Sequence, residues 1–195
     1  MRQLALIPLL SLAVLAAAQG PSPKEILLGR KIFMALTPQV KEELKVTSDQ
    51  TSKLLTVFGD TVQVDGDKIM IQMTPDTDLG QIEKDAMAVF TADQRKRLDQ
   101  LWVQRAGGLV LLDDEMAKSL KLTDDQKKSV EKLGNETADK MMELFTAGHD
   151  EATVKQSRDL RKEAGKKMEA LLTEEQKKTF EGLKGTLVKW KDDGR

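Results

Sequence analysis

The chain has no cysteine and no tyrosine, a single histidine, and only 4% aromatic residues. Without cysteine there is no disulfide framework, no thiolate nucleophile and no lipid-modified cysteine behind a leader. Sparse aromatics leave no platform on which nucleic-acid bases would stack. Charge of one sign is also missing: Lys+Arg 31 stand against Asp+Glu 32, a formal net charge of −1 with no long block of either sign. The concentrated basic face of a nucleic-acid binder is therefore not expected. No nucleophile elbow, phosphate loop or zinc-binding helix motif is present, so only Asp, Glu and Lys chemistry remains, and no pair of these stands out. No catalytic, cofactor-binding or metal-ligating residue is assigned, and no enzyme is expected.

One long apolar run exists. Met1-Arg2-Gln3 precedes an uncharged stretch from Leu4 to Ala16 and the small residues Ala16-Ala17-Ala18, the three-part layout of a secretory leader. Cleavage is expected after Ala18. An uncleaved anchor is the competing reading, disfavoured because Gln19-Gly20-Pro21-Ser22-Pro23 breaks a helix and the apolar part is shorter than the roughly 20 residues of a membrane span. The expected product is a periplasmic or secreted protein, with no stable membrane insertion once residues 1–18 are gone.

One five-residue pattern occurs four times: Val46-Thr47-Ser48-Asp49-Gln50, Phe90-Thr91-Ala92-Asp93-Gln94, Leu122-Thr123-Asp124-Asp125-Gln126 and Leu172-Thr173-Glu174-Glu175-Gln176. Threonine followed three residues later by glutamine is a capping box: Thr accepts from a backbone N–H one turn in, and Gln reaches back to the cap. The acid between them sits where the helix dipole favours negative charge. Apolar residues seven and ten positions after each Thr put Leu54 and Val57, Leu98 and Leu101, Val130 and Leu133, and Phe180 and Leu183 on one helical face each.

The copies are of two kinds. Leu44 and Leu120 lie three residues before the first and third Thr, where the second and fourth have Ala88 and Ala170. The order A, B, A, B at nearly equal offsets indicates an internal duplication, with halves at 19–106 and 107–195 meeting at Gly107-Gly108, the clearest interior linker. The second half reads as a three-helix bundle. Its first helix runs from Thr123 to about Thr146, with Val130, Leu133, Thr137, Met141 and Leu144 inward. Asp150 caps the next, with Val154, Ser157, Leu160, Ala164, Met168 and Leu171 inward. The third follows Thr173, with Phe180, Leu183, Leu187 and Trp190 inward.

The first half differs between its caps. The helix from Thr47 stops by Gly59, and Val62, Val64, Ile69, Ile71 and Met73 then alternate around Asp65-Gly66, a β-hairpin signal near 61–73. Helix resumes at Thr74-Pro75, with Leu79, Ile82, Ala86 and Val89 inward. The fold class is mainly α: antiparallel helical hairpins or a bundle, with one small β-hairpin in the first half.

The repeated apolar-Thr-x-acid-Gln segment, on a helical, cysteine-free chain behind a leader, resembles the LTxxQ-motif proteins of the bacterial envelope, which include Spy-like periplasmic chaperones and envelope-stress modulators. The resemblance covers roughly residues 36 to 190. It implies a helical-hairpin protein that binds other polypeptides without ATP, often as a homodimer. This chain departs from the best-known members in having four motif copies, an inserted hairpin and balanced charge.

Other candidate sites have simpler explanations. His149 lies beside Asp150 and Glu151 with Met141 and Met142 nearby, but one histidine at a Gly-containing turn falls short of the clustered ligands of a transition-metal site. Asp113-Asp114-Glu115 and Asp124-Asp125 lack the alternating ligands of a calcium loop and suit helix starts. Asp65-Gly66-Asp67 is turn chemistry, and the sequon Asn135-Glu136-Thr137 falls inside a helix. The nine methionines, including Met70, Met73, Met87, Met141, Met142 and Met168, fit core filling better than an adaptable binding surface. The expected function is a non-catalytic binding protein for proteins or unfolded polypeptides. The alternatives are a module docking one fixed partner and a metal-responsive envelope sensor.

Overall fold

The computed structural model describes residues 22–29, 31–65, 68–71, 77–148 and 150–190. The leader-like stretch 1–18, Thr74-Pro75, Gly66-Asp67 and His149 lie outside the described residues. The chain is mainly α-helical. In order come α1 (Pro23–Leu28), α2 (Lys31–Met34), α3 (Pro38–Glu43), α4 (Ser48–Phe58), a 3-10 turn (Gly59–Thr61), β1 (Val62–Asp65), β2 (Lys68–Ile71), α5 (Leu79–Ala88), α6 (Ala92–Ala106), a 3-10 segment (Gly107–Leu112), α7 (Asp114–Ser119), α8 (Asp124–Ala147), α9 (Glu151–Glu169) and α10 (Glu174–Leu183). The strands pair antiparallel, Val62 opposite Ile71 and Asp65 opposite Lys68, forming the expected hairpin.

Each copy of the repeated motif caps a helix. Thr47, Thr91, Thr123 and Thr173 accept from the amides of Gln50, Gln94, Gln126 and Gln176, and each glutamine returns a bond to its threonine's N–H. The inward faces follow: Leu54, Leu98 and Leu101 are fully buried, with Val130 and Phe180 close to it. Before the first and third motifs the chain leaves a short helix through a residue with positive φ, Lys45 (51°) and Lys121 (52°). Val46 N–H then bonds Lys41 C=O, and Leu122 N–H bonds Ala117 C=O. Both are Schellman-type stops with lysine at the position glycine usually takes.

The core forms two clusters. Ile32, Leu36, Val40, Leu54, Phe58, Leu98 and Leu101 build one; Leu27, Val103, Leu109, Val110, Met141, Met168 and Phe180 build the other. Helix α6 is the shared wall, and Trp102 packs against both. The ends cross between the clusters. Leu27 and Leu28 of α1 are buried in the second one, and Lys24 pairs with Asp113 at 2.8 Å. Conversely, Val188 and Trp190 pack on the first. The segment after α10 is tied down by Gln104, whose Nε2 donates to the carbonyls of Lys184 and Thr186 and whose Oε1 accepts from Val188 N–H. Arg97 donates to Thr186 C=O, and Gln39 to Lys189 C=O.

Several expectations are corrected. The third helix of the second half ends at Leu183, not beyond Trp190, and Gly185 takes a positive φ of 59° two residues later. Leu187 consequently points outward, 70% exposed, while Trp190 serves the other cluster. Val154 is exposed rather than inward. Helix α5 begins at Leu79, capped by the Asp78 side chain. Gly107-Gly108 is no exposed linker, because it opens a 3-10 segment whose residues Gly108 to Leu111 are buried. A Cβ on Gly108 would stand 2.1 Å from the carbonyl oxygen of Gly165 in α9, so only glycine permits that approach.

Candidate binding cleft

The motif glutamines do more than cap. Gln50 and Gln94 face each other and exchange two amide bonds, Nε2 to Oε1 at 2.7 and 3.0 Å. The second Nε2 proton of Gln50 goes to Val89 C=O at 3.0 Å, and that of Gln94 to Leu44 C=O at 3.0 Å. The same junction recurs between Gln126 and Gln176, at 2.7 and 3.0 Å, with Leu171 and Leu120 supplying the equivalent carbonyls. Each amide also accepts from its own threonine N–H, so both donors and both acceptor positions are used. The reach across to the partner motif is invisible in the sequence, where each motif stands alone. These residues are part-buried scaffold, with no reactive group presented to a ligand.

The remaining sequence candidates fall into structural places. Asp113 caps α7 through the amides of Glu115 and Met116. Burial opposes its charge, but Lys24 and those amides outweigh that and hold its carboxyl below the ordinary value. Asp124 and Asp125 occupy the first turn of α8, and Asp150 caps α9 through Thr153 N–H. Asn135 lies within α8. Met141 and Met168 are core, whereas Met142 is 46% exposed. Among the described residues no group of three His, Asp or Glu side chains gathers to hold a metal, and no helix is long and apolar enough to cross a membrane.

One concavity is built from several elements at once. An open cleft of about 860 Å³ lies where the end of α6, the 3-10 segment, the end of α8 and the exposed side of α9 meet, with Trp190 at its edge. Its existence follows from packing. Gly108 and Gly165 draw the 3-10 segment onto α9, while α8 and α9 run out to their tip at Gly148. At that tip Phe145 and Val154 remain 42% and 41% exposed. Leu109 and Met141 add apolar lining.

The polar lining is one-sided. Among the described residues that line the cleft, Arg105, Arg158, Arg161, Lys162 and Lys166 stand with one carboxylate, Glu169, on a chain whose net charge is −1. The Arg105 guanidinium lies 5.2 Å from the Trp190 ring centroid, a cation–π contact. Burial, and then the charge of Arg105, push the Arg161 guanidinium below its usual value. Ser157, nine-tenths buried on the cleft wall, has a hydroxyl with no hydrogen-bond partner. Helical spacing puts Ser157 on the inward face of α9, but nothing in the sequence marks the cleft. Its cations come from α6 and α9 and its aromatic edge from the segment after α10, and no local signal joins them. No family model, curated protein or solved structure matches this chain, so the cleft's own residues carry the functional reading.

Proposed function

We propose that this is an exported, non-catalytic binding protein that holds polypeptide segments without ATP, in the manner of the LTxxQ envelope chaperones its motif resembles. The observation that carries the reading is the cleft. Phe145 and Val154 offer exposed apolar surface at the α8–α9 tip, and a cationic lining lies directly beneath them. A concave site with an apolar part and a few convergent polar groups is the usual form of a binding site. The leader-like residues 1–18 support export, and the recurrence of one amide junction in both halves supports an origin by duplication.

The test is light scattering from an unrelated, chemically unfolded protein diluted with stoichiometric amounts of the chain and no ATP. Suppression should saturate near a fixed ratio. The Phe145→Ser/Val154→Ser variant, altered only at exposed positions, should lose most of it while keeping its thermal midpoint. No suppression at any ratio overturns the reading and leaves a module for one dedicated partner.

A further inference from the structure

The Arg161 guanidinium makes no hydrogen bond and no ion pair among the described residues. It is half-buried, and the charge that bears on it is the like charge of Arg105. An arginine carries five N–H donors, and a cation removed from water without a counter-ion is costly. One helical turn earlier the Ser157 hydroxyl is buried without a partner, although buried polar groups are almost always paired. A buried hydroxyl and a half-buried guanidinium, neither with a protein partner among the described residues, thus stand at i and i+4 on one face of α9, in the wall of an open cleft.

The cleft is polarised along that helix. Val154 stands one turn before Ser157 and Arg158, beside Phe145 at the tip, and Arg161 follows Ser157 by a further turn of about 5.4 Å. Met141 adds apolar lining, and Leu109 packs at Gly165, one turn beyond Arg161. Along α9 the lining runs from Val154 through Ser157 and Arg158 to Arg161.

We infer that the cleft takes an amphipathic carboxylate, with the anionic head between Ser157 and Arg161 and the apolar tail running toward Phe145 and Val154. A carboxylate matches the planar fork of a guanidinium and accepts from a hydroxyl as well. One partnerless arginine specifies one such head. The head has two chemical sources, a free fatty acid or the carboxyl terminus of an apolar peptide. The inference rests on the polypeptide reading only in using the same cleft.

The probes are decanoate, its neutral counterpart decanol, and an apolar octapeptide with a free or an amidated carboxyl terminus, titrated calorimetrically into the intact chain. Decanoate should bind at one site and decanol at least tenfold more weakly. Arg161→Met, which keeps the apolar stem and removes a partnerless charge, should fold with a thermal midpoint no lower than the parent's and lose decanoate affinity tenfold or more. Ser157→Ala should weaken it several-fold. If the free-terminus peptide outbinds the amidated one while decanoate does not bind, the head is supported and its source is a peptide. Equal affinity for decanoate and decanol, an Arg161→Met chain that binds decanoate as well as the parent, or no binding of any probe overturns the inference. An Arg161→Met chain that still suppresses aggregation then leaves the polypeptide reading standing.

Discussion

At the scale of single residues, the motif's glutamine has a requirement that capping alone does not impose. A capping box works with Glu or Gln at its third position, yet each glutamine here both gives and receives across a facing pair, and each also satisfies an orphan carbonyl of the neighbouring helix end. Only a primary amide can do both. Replacing Gln126 by Glu would set a carboxylate against the Gln176 oxygen and strip Leu171 of its donor. Urea unfolding should show Gln126→Glu destabilised by about 2–3 kcal/mol and Gln126→Met by about 1–2 kcal/mol, from the cost of unpaired buried groups. The double change Gln126→Met/Gln176→Met should cost clearly less than the two single changes together, as expected of residues sharing one network. Strict additivity would show that the facing bonds contribute nothing beyond the caps.

At the scale of elements, the starts of the four capped helices and their inward faces were legible because both depend on residues within a turn or two. Thr, the acid and Gln are local chemistry, and Leu54, Leu98, Val130 and Phe180 repeat with the helix. Helix ends set by tertiary packing were not. Leu187 and Trp190 keep a helical spacing with Phe180 and Leu183, but the chain turns at Gly185 because the following segment is held by Gln104 on α6. Gly107-Gly108 reads as a linker, and glycine does serve there, though for close approach to α9. The two glycines at that contact should answer oppositely to the same change. Gly108→Ala brings a Cβ to 2.1 Å from a backbone oxygen, and a thermal melt should show a loss of about 1–3 kcal/mol, the usual cost of overpacking. A Cβ on Gly165 meets its nearest neighbour at 3.5 Å, so Gly165→Ala should gain about 0.5–1 kcal/mol from helix propensity.

On the scale of the whole molecule, charge balance hid the site. The near-equal counts of acids and bases predict an unremarkable surface, whereas folding brings Arg105, Arg158 and Arg161 to one cleft and places acids such as Asp124 and Asp125 at helix starts away from it. The crossed ends also could not be read locally, since α1 and the segment after α10 carry ordinary amphipathic spacing that names no partner. They make a specific prediction for amide hydrogen exchange. Deleting residues 22–29 should deprotect α8 and the 3-10 segment in the second half, and ending the chain at Leu183 should deprotect α3 and α6 in the first. Losses confined to the half that was cut would refute the crossing.

That crossing also fixes an order of events during synthesis. The hydrogen bond from Gln39 to Lys189 spans 150 residues, and the Lys24–Asp113 pair joins α1 to a helix that emerges long after it. Contacts this distant in sequence form late, because the chain entropy of closing the loop is lost before the contacts offset it. The capped hairpins can form as they appear, but the first cluster stays open along one side until Trp190 exists to close it. For most of its emergence the nascent chain therefore exposes apolar surface of its own, and is itself the kind of incompletely folded polypeptide that the finished cleft is proposed to hold.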